Sequence, residues 1–314
     1  KIYSFRFYLK FKICNLKLLG SNFIFFMSNI RTYSIGIDIG GTKMSGILFD
    51  GKKSLADFTL ATPKDDLEHF LIMLDALIKP LEDEAKKIKA KITGIGIGIP
   101  GVLSAAGDKI LKCPNVPILD GVNLAEIITA KMQLPVKVDN DANCFTLAEA
   151  RLGAGAKYKN VFGVIIGTGI GGGWCLNGEI YRGAHSGAAE PGRMIINFTE
   201  PAELEAAYHK LMQNNPSRVS QEAIRGDVLA ERAYEELGRF LGLAFANIAN
   251  LIDPEIFVIG GGTVESSDLF LNELKKTLKQ YIMSPEAKNI KVVKAKLGEL
   301  EGAMGAAMLI THNL

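Results

Sequence analysis

The chain has 314 residues, of which 48% are hydrophobic and 22% charged, so global disorder is excluded and about two domains are expected. Its net charge of +2 is unevenly distributed, because residues 1–26 carry five basic residues and no acid, which leaves 31 basic against 34 acidic residues, a net of −3, in the rest. A body without a basic excess lacks the charge that binds a phosphate backbone, which argues against a nucleic-acid partner.

The N-terminal segment is basic and aromatic, but polar residues interrupt its apolar run. The sequence has no 18-residue apolar span of the kind that forms a transmembrane helix, and no membrane partner is expected. Met27 looks like a natural start just before the first predicted strand. We therefore interpret residues 1–30 as an N-terminal extension outside the fold. A membrane-surface anchor over residues 1–26 is the alternative.

Cysteine and histidine usage indicates a cytoplasmic protein. The cysteines are far apart and form no C-x-x-C pair, so reduced and mostly buried thiols are expected, and the histidines show no spacing typical of a metal site. These residues are Cys14, Cys113, Cys144 and Cys175, and His69, His185, His209 and His312.

In chain order, Tyr33–Lys43 indicates a strand that runs into a glycine turn. Hydrophobic periodicity then predicts strands at 44–49 and 55–60, a helix within 65–90, a strand at 92–99 that ends at Pro100-Gly101, a helix at 122–132, a strand from 136 to 138 and a helix at 140–152.

The pattern then repeats in the second half of the chain. It predicts a strand at 161–166, a glycine turn at 167–173, a return strand at 174–176, a long helix at 228–252, a strand at 256–259, a helix at 269–281, a strand at 291–295 and a closing helix at 301–310. Ile35–Thr42 corresponds to Val164–Gly169, and Ile95–Gly101 corresponds to Phe257–Gly262. The sequence therefore predicts an α/β protein of two similar lobes facing each other across a cleft. We assign residues 31–139 to a small lobe, onto which helix 301–314 packs back, and residues 140–300 to a large lobe.

Each half contains a glycine turn after a strand. The first spans Asp38, Gly40, Gly41, Thr42 and Lys43, and the second Gly167, Thr168 and Gly169. Glycines let backbone N–H groups approach a phosphate closely, the threonines add hydroxyl donors, and Asp38 supplies a carboxylate suited to Mg²⁺ or its water shell. Two tight hairpins without a ligand are the alternative, but one such turn in each half favours a shared phosphate.

Two familiar nucleotide motifs do not apply. G-x-G-x-x-G occurs at Gly96–Gly101 and at Gly167–Gly172, but neither is followed by the helix that a dinucleotide site requires. The P-loop pattern G-x-x-x-x-G-K-[ST] is absent. The phosphate cradle is therefore of another kind.

The segment Asp139–Asn143 joins a predicted strand to a helix at the junction of the two repeats. Asp139 or Asn140 could simply cap that helix. The position suits a ligand cleft, however, and a sugar hydroxyl attacking the γ-phosphate of ATP needs a carboxylate to accept its proton. Asp141 is our candidate for this base, with Asn140 beside it able to pair with adjacent hydroxyls.

At these residues the sequence resembles the ROK family of repressors, open reading frames and sugar kinases, from about Ile35 to Ala307. The matching pieces are Asp38–Lys43, Gly98–Gly101, Asn140–Asn143, Gly167–Gly173, Gly187–Glu190, Leu204-Glu205 and Asp253–Gly262. The resemblance implies a duplicated ribonuclease-H-like fold of the actin-like ATPase type, with ATP and Mg²⁺ as cofactors and a hexose or N-acetylhexosamine as the phosphorylated substrate.

The resemblance also implies roles for individual residues. Asp141 matches the catalytic base, Asn115, Asn140, Glu190 and Glu205 match sugar-contacting positions, and Gly260, Gly261 and Gly262 form the adenosine-side turn. Glu205 could instead be an ordinary exposed helix glutamate.

The sequence departs from the family after Met194, where a zinc-binding cysteine cluster is common and where residues 195–203 contain no cysteine. Arg193 stands where the family usually has a histidine. We therefore expect no zinc, and Arg193 either contacts the sugar or pairs with an acid.

The alternatives to a kinase are a repressor and a non-catalytic sugar sensor. Residues 1–33 are too short and too aromatic to supply the helix-turn-helix of a repressor, and retention of Asp141 with both glycine turns argues against a sensor. Within the kinases we favour glucose, giving glucose 6-phosphate, over fructose, mannose or an N-acetylhexosamine. A homodimer is the default assembly.

Overall fold

The structure is a computed structural model that describes residues 32–197, 199 and 201–311. The predicted N-terminal extension (residues 1–30) and residues 312–314, at the end of the segment predicted to pack back on the small lobe, lie outside the described residues. In the part of the chain that is described, no helix combines the length and apolarity needed to cross a membrane.

The first half of the chain forms a five-stranded sheet, here called the first sheet, in the order β3-β2-β1-β4-β7. Strands β1 to β3 are antiparallel, whereas β4 and β7 run parallel to β1. The elements of this half are β1 (Thr32–Ile39), β2 (Lys43–Phe49), β3 (Ser54–Ala61), α1 (Leu67–Lys87), β4 (Lys91–Ile99), β5 (Val102–Leu103), β6 (Ile110–Lys112), α2 (Leu124–Met132) and β7 (Val136–Asn140).

The second half repeats this arrangement in a second sheet, in the order β10-β9-β8-β13-β14. Its elements are α3 (Asp141–Arg151), β8 (Asn160–Ile166), β9 (Ile170–Leu176), β10 (Glu179–Ile180), β11 (Ile195–Asn197), β12 (Ala202–Glu203), α4 (Leu204–Leu211), α5 (Pro216–Ile224), α6 (Val228–Ile252), β13 (Ile256–Gly260), α7 (Leu271–Tyr281), β14 (Lys291–Lys294) and α8 (Glu301–Thr311). The matching strand orders confirm the internal duplication that the sequence predicts.

Helices α3 and α8 lie between the two sheets. Helix α8 packs on β1 and β4 of the first sheet, α3 packs on β8 and β9 of the second, and the two helices pack against each other. Glycine makes this close approach possible, because a Cβ on Gly305 would overlap the carbonyl oxygen of Cys144, and one on Gly36 would overlap that of Ala303. The two helices thereby connect the two sheets through one buried cluster.

Helix α6 covers the outer face of the second sheet, where the Phe245 ring stacks on the Phe257 ring of β13 with 4.5 Å between centroids. Helix α1 covers the corresponding part of the first sheet through Phe70, Leu74 and Leu77. Each sheet therefore has apolar contacts on both faces, which explains the nearly continuous apolar runs of its central strands.

The structure corrects one predicted feature and adds a helix that was not predicted. The second glycine turn is shorter than predicted, because Ile166 already pairs with Ile170 and residues 170–173 belong to β9. Helix α5 was not predicted from hydrophobic periodicity, although it has a clear start signal: Asn215 accepts a hydrogen bond from the Arg218 N–H, and Pro216 is the first helical residue.

Candidate active site between the two sheets

A cavity of about 370 Å³, here called the Asp141 cavity, lies where the carboxyl ends of β1, β4, β7 and β8 come together. Such strand ends are where α/β sheets commonly bind ligands. Eleven of the predicted site residues line it: Gly40, Gly41, Asn115, Asn140, Asp141, Gly167, Thr168, Gly169, Glu190, Arg193 and Glu205. The structure therefore brings the two glycine turns and the predicted base to one cavity.

Asp141 is the first residue of α3, directly after the end of β7. One of its carboxylate oxygens accepts a hydrogen bond of 2.9 Å from the Ala142 N–H. Burial first, and then the negative charges of Asp38 and Glu190, together raise the pKa of this carboxyl to about 7. A carboxyl with this pKa can gain and lose a proton at neutral pH.

Asn140 caps helix α3, which confirms one of the two interpretations of this residue. Its side-chain oxygen accepts hydrogen bonds from the N–H groups of Ala142 (2.9 Å) and Asn143 (3.2 Å), and its amide donates to the carbonyl of Gly101 (3.1 Å). These bonds hold the Asn140 side chain in place at the cavity wall and fix the start of helix α3, where Asp141 is the first residue. Contact between Asn140 and a sugar stays a prediction.

Arg182 is a residue that the sequence did not point to. Its guanidinium donates two hydrogen bonds, of 2.9 and 2.5 Å, to one oxygen of the buried Asp139 carboxylate, and Asn143 donates to the other oxygen at 2.9 Å. The pair is 43 residues apart in the chain, so no local spacing reveals it. It anchors the loop after β10 beside the start of α3.

The first glycine turn is braced from two sides. The Gly40 N–H donates to the Lys43 carbonyl at 2.9 Å, and the Thr62 hydroxyl donates to the Gly40 carbonyl at 2.7 Å. A Cβ on Gly41 would lie 3.0 Å from the Asn115 Cβ, so Gly41 permits the contact between the turn and Asn115. Thr42 and Lys43 are exposed and are not part of the lining of the Asp141 cavity.

Asp38 lies behind the first turn, against Gly302 of α8. Burial raises the pKa of its carboxyl to about 6, while the nearby Lys43 charge acts in the opposite direction. Mg²⁺ in phosphotransfer sites is typically held by one or two carboxylates together with substrate phosphates and waters, and a single carboxylate beside the turn fits that requirement. Among the described residues, no three acids, histidines or cysteines are grouped to hold a metal ion by themselves. The absence of zinc stays a prediction.

The second glycine turn is held by Glu205 of α4. The Ile170 N–H, just after the turn, donates to a Glu205 carboxylate oxygen at 2.7 Å. Glu205 is therefore not an ordinary exposed glutamate. One of its carboxylate oxygens is bonded to the backbone just after the turn, so only the other oxygen is available to a ligand.

Glu190 and Arg193 lie on the loop that follows β10. Burial raises the pKa of the Glu190 carboxyl, and the Arg193 charge opposes this. Arg193 donates a 2.8 Å hydrogen bond to Glu203 and lies 3.9 Å from Glu205. Arg193 thus pairs with acids while its side chain lines the Asp141 cavity.

A second cavity, of about 780 Å³ and here called the Thr263 cavity, adjoins the first. It is lined by residues of α4 and α5 and by Gly262 and Thr263, and it shares Gly167 and Thr168 with the Asp141 cavity. Of the predicted adenosine-side turn, Gly262 lines this cavity, whereas Gly260 packs against the Phe145 ring and Gly261 bends the chain with φ of 87°. The two cavities therefore meet at the second glycine turn.

Residues 34–313 match the family model described as ROK family. The xylose repressor of Caldicellulosiruptor bescii is 27% identical over 313 residues, which cover 89% of this chain and 78% of that protein. An N-acetyl-D-glucosamine kinase of Photobacterium profundum is 31% identical over 305 residues, covering 87% and 98%.

Among solved structures, a ROK family glucokinase from Streptomyces griseus, in complex with glucose and AMPPNP, superposes with a TM-score of 0.71 at 26% identity, covering 88% of this chain and 98% of that one. This similarity confirms the predicted fold class, the duplicated α/β fold of actin-like ATPases and sugar kinases.

Proposed function

The chain belongs to the ROK family, and we propose that it is an ATP-dependent sugar kinase in which Asp141 activates the sugar hydroxyl. The observation that carries this proposal is the Asp141 cavity, where Asp141 lines the same space as both glycine turns. A sugar sensor needs the space for a sugar but has no need of a carboxyl adjacent to two phosphate cradles.

In the proposed reaction, the sugar hydroxyl oxygen forms a bond to the γ-phosphorus of ATP, and the bond from that phosphorus to the β–γ bridging oxygen breaks. The hydroxyl proton passes to the Asp141 carboxylate, and ADP leaves. The pKa of Asp141, raised to about 7, makes the carboxylate a stronger base than an exposed aspartate while leaving a large fraction ionised at neutral pH.

The ligands are assigned to the two cavities by their chemistry. The sugar would occupy the Asp141 cavity, where Asn115, Asn140, Glu190 and Glu205 offer polar partners for its hydroxyls. The adenosine would occupy the larger Thr263 cavity, with the phosphates at the shared residues Gly167 and Thr168. Mg²⁺ bound with ATP would neutralise phosphate charge, and Asp38 would hold it directly or through water.

Glucose is the first substrate that we propose, and glucose 6-phosphate the product. The S. griseus neighbour binds glucose, which supports this choice. An N-acetylhexosamine is the second candidate, because a relative 31% identical is named an N-acetyl-D-glucosamine kinase. Fructose and mannose remain in the test set, because the loop contacts that select hydroxyls differ in small details.

The test is ADP release by the purified full chain with ATP and Mg²⁺, measured against glucose, mannose, fructose and the common N-acetylhexosamines in parallel. We expect a value of kcat/KM for one of these sugars at least ten times that for the others. If calorimetry shows that a sugar binds but none of these sugars causes ADP release, the kinase proposal is contradicted and a sugar sensor is supported.

A further inference from the structure

One short helix, α4, holds both ends of the second glycine turn. At its start, Glu205 accepts the Ile170 N–H, as described above. Tyr208 lies three residues later and therefore on the same face of the helix. Its hydroxyl is 2.6 Å from the Gly167 carbonyl oxygen and donates a hydrogen bond to it. The first residue of the turn and the residue after the turn are thus both bonded to side chains of α4.

The Tyr208 hydroxyl makes a second contact, 2.7 Å from the hydroxyl oxygen of Thr263. A tyrosine hydroxyl has a single proton to donate and can also accept. Because the Gly167 carbonyl can only accept, it receives that proton, and Thr263 therefore donates to Tyr208. The order Thr263 to Tyr208 to Gly167 is a directed chain of two hydrogen bonds.

This chain of bonds joins two parts of the proposed nucleotide site that are distant in sequence. Gly167 belongs to both cavities. Thr263 lies in the short 3₁₀ segment Gly262–Leu269 after β13, here called the Thr263 loop, and lines the Thr263 cavity but not the Asp141 cavity. The Tyr208 residue is 1% exposed and Thr263 is 4% exposed, so water does not readily replace either partner. Buried and fully paired networks of this kind hold backbone segments in one arrangement.

We propose that Tyr208 is a positioning residue for the nucleotide. It fixes the Gly167–Gly169 turn relative to the Thr263 loop, so that a phosphate at the turn and an adenosine in the Thr263 cavity are bound at one set distance. Glu205 supports the other end of the turn through its own hydrogen bond, so the sugar site keeps that support when the Tyr208 bond is removed. The inference rests on the proposed binding of ATP but not on the identity of the sugar.

The test compares Tyr208→Phe and Thr263→Val, each of which removes one hydroxyl and little volume, with the wild-type chain. The control is Thr93→Val, which removes a hydroxyl hydrogen bond of 3.0 Å to the Tyr33 carbonyl in the first sheet. Calorimetry with MgATP in the absence of sugar gives the nucleotide Kd, and calorimetry with glucose alone gives the sugar Kd, both at a temperature well below unfolding.

We expect Tyr208→Phe and Thr263→Val to raise the Kd and the KM for ATP by about 3- to 10-fold, the range for one neutral hydrogen bond. The sugar Kd, and kcat at saturating ATP, should change less than about 2-fold. The double variant should show little more than either single variant, because both break the same chain of bonds. Thr93→Val should leave the ATP Kd unchanged.

A lowered melting temperature with an unchanged ATP Kd in both variants would show a purely structural role and overturn the inference. Wild-type protein that binds no ATP would overturn it together with the proposed function. Wild-type protein that binds ATP but phosphorylates no sugar would overturn the proposed function alone, and the Kd values would still decide the role of Tyr208.

Discussion

At the scale of single residues, the surroundings of Asp141 determine its acidity. Asp141 is half-buried, and loss of water around its carboxyl together with the negative charges of Asp38 and Glu190 raises the pKa of that carboxyl to about 7. Only the ionised form can accept a proton from a sugar hydroxyl.

This predicts a specific pH dependence of turnover. We expect kcat/KM to rise tenfold per pH unit below about 7 and to level off above it, as Asp141 loses its proton. Rates at saturating MgATP between pH 5.5 and 8.5 measure this. Glu190→Gln removes a nearby negative charge and should move the midpoint to lower pH. A rate that is constant over the whole range would contradict the assignment of Asp141 as the base.

Candidate site residues could be predicted from the sequence where they belong to a short motif of neighbouring residues. Asp141 and both glycine turns stand in short motifs, and the structure brings them to one cavity. Arg182 and Thr62 could not be predicted, because each acts on a partner distant in the chain, Asp139 and Gly40 respectively. Tyr208 has the periodicity of an ordinary core residue, and only the folded chain shows what its hydroxyl contacts.

At the scale of elements, the packing of α3 against α8 decides how the two sheets meet. Gly305 of α8 contacts the backbone of Cys144 in α3, and no side chain fits there. The C-terminal helix is rich in alanine and glycine for this reason, since larger residues would separate the helices.

We therefore expect Gly305→Ala to destabilise the protein by about 1–3 kcal/mol through overpacking, although alanine favours a helix more than glycine does. Urea unfolding followed by circular dichroism measures the free energy of unfolding. The control is Gly187→Ala, where an added Cβ meets no atom within 4 Å, and its effect should be within about 0.5 kcal/mol. Equal stability of the Gly305→Ala variant and the wild type would show that α3 and α8 can separate without cost.

Long periodic elements were predicted well, and α6 begins and ends at the predicted residues. The length of the second glycine turn was predicted wrongly, because glycines have no side chains whose apolar pattern would indicate a strand. Residues 170–173 are strand only because β8 pairs with them. Helix α5 was missed because its apolar face is short and its start depends on the Asn215 cap.

At the scale of the whole molecule, three half-buried carboxyls interact electrostatically, since the charge of Asp38 acts on both Asp141 and Glu301. Burial raises the pKa of Asp38 from 3.8 to about 6, and burial together with neighbouring negative charges raises that of Asp141 from 3.8 to about 7 and that of Glu301 from 4.5 to about 8. Between the unfolded and folded pKa values, the folded state binds more protons than the unfolded state, so stability falls as pH rises.

We predict that, without ligands, the free energy of unfolding decreases from about pH 5 to pH 8. Glu301→Gln should remove the part of this loss that Glu301 causes between about pH 4.5 and 8, and should be more stable than the wild type at pH 8 by on the order of 1 kcal/mol. Glu299→Gln is the matched control, because that side chain is 91% exposed and should change little at any pH. Wild-type stability that rises over this interval would contradict the raised pKa values.

The duplicated architecture could be predicted from the sequence because each half repeats a strand, a glycine turn and a return strand in the same order. The two sheets have matching strand orders, as that repetition implies. The division of the chain into lobes at residue 140, the cytoplasmic location and the homodimer stay predictions.

The assignment of Asp141 as the catalytic base is tested by Asp141→Asn, which keeps the size of the side chain and its hydrogen bond to Ala142 but cannot accept the proton. We predict that kcat falls by about 10²–10⁴-fold, while the sugar Kd and the melting temperature stay close to those of the wild type. Turnover within a few-fold of the wild type would contradict this role for Asp141.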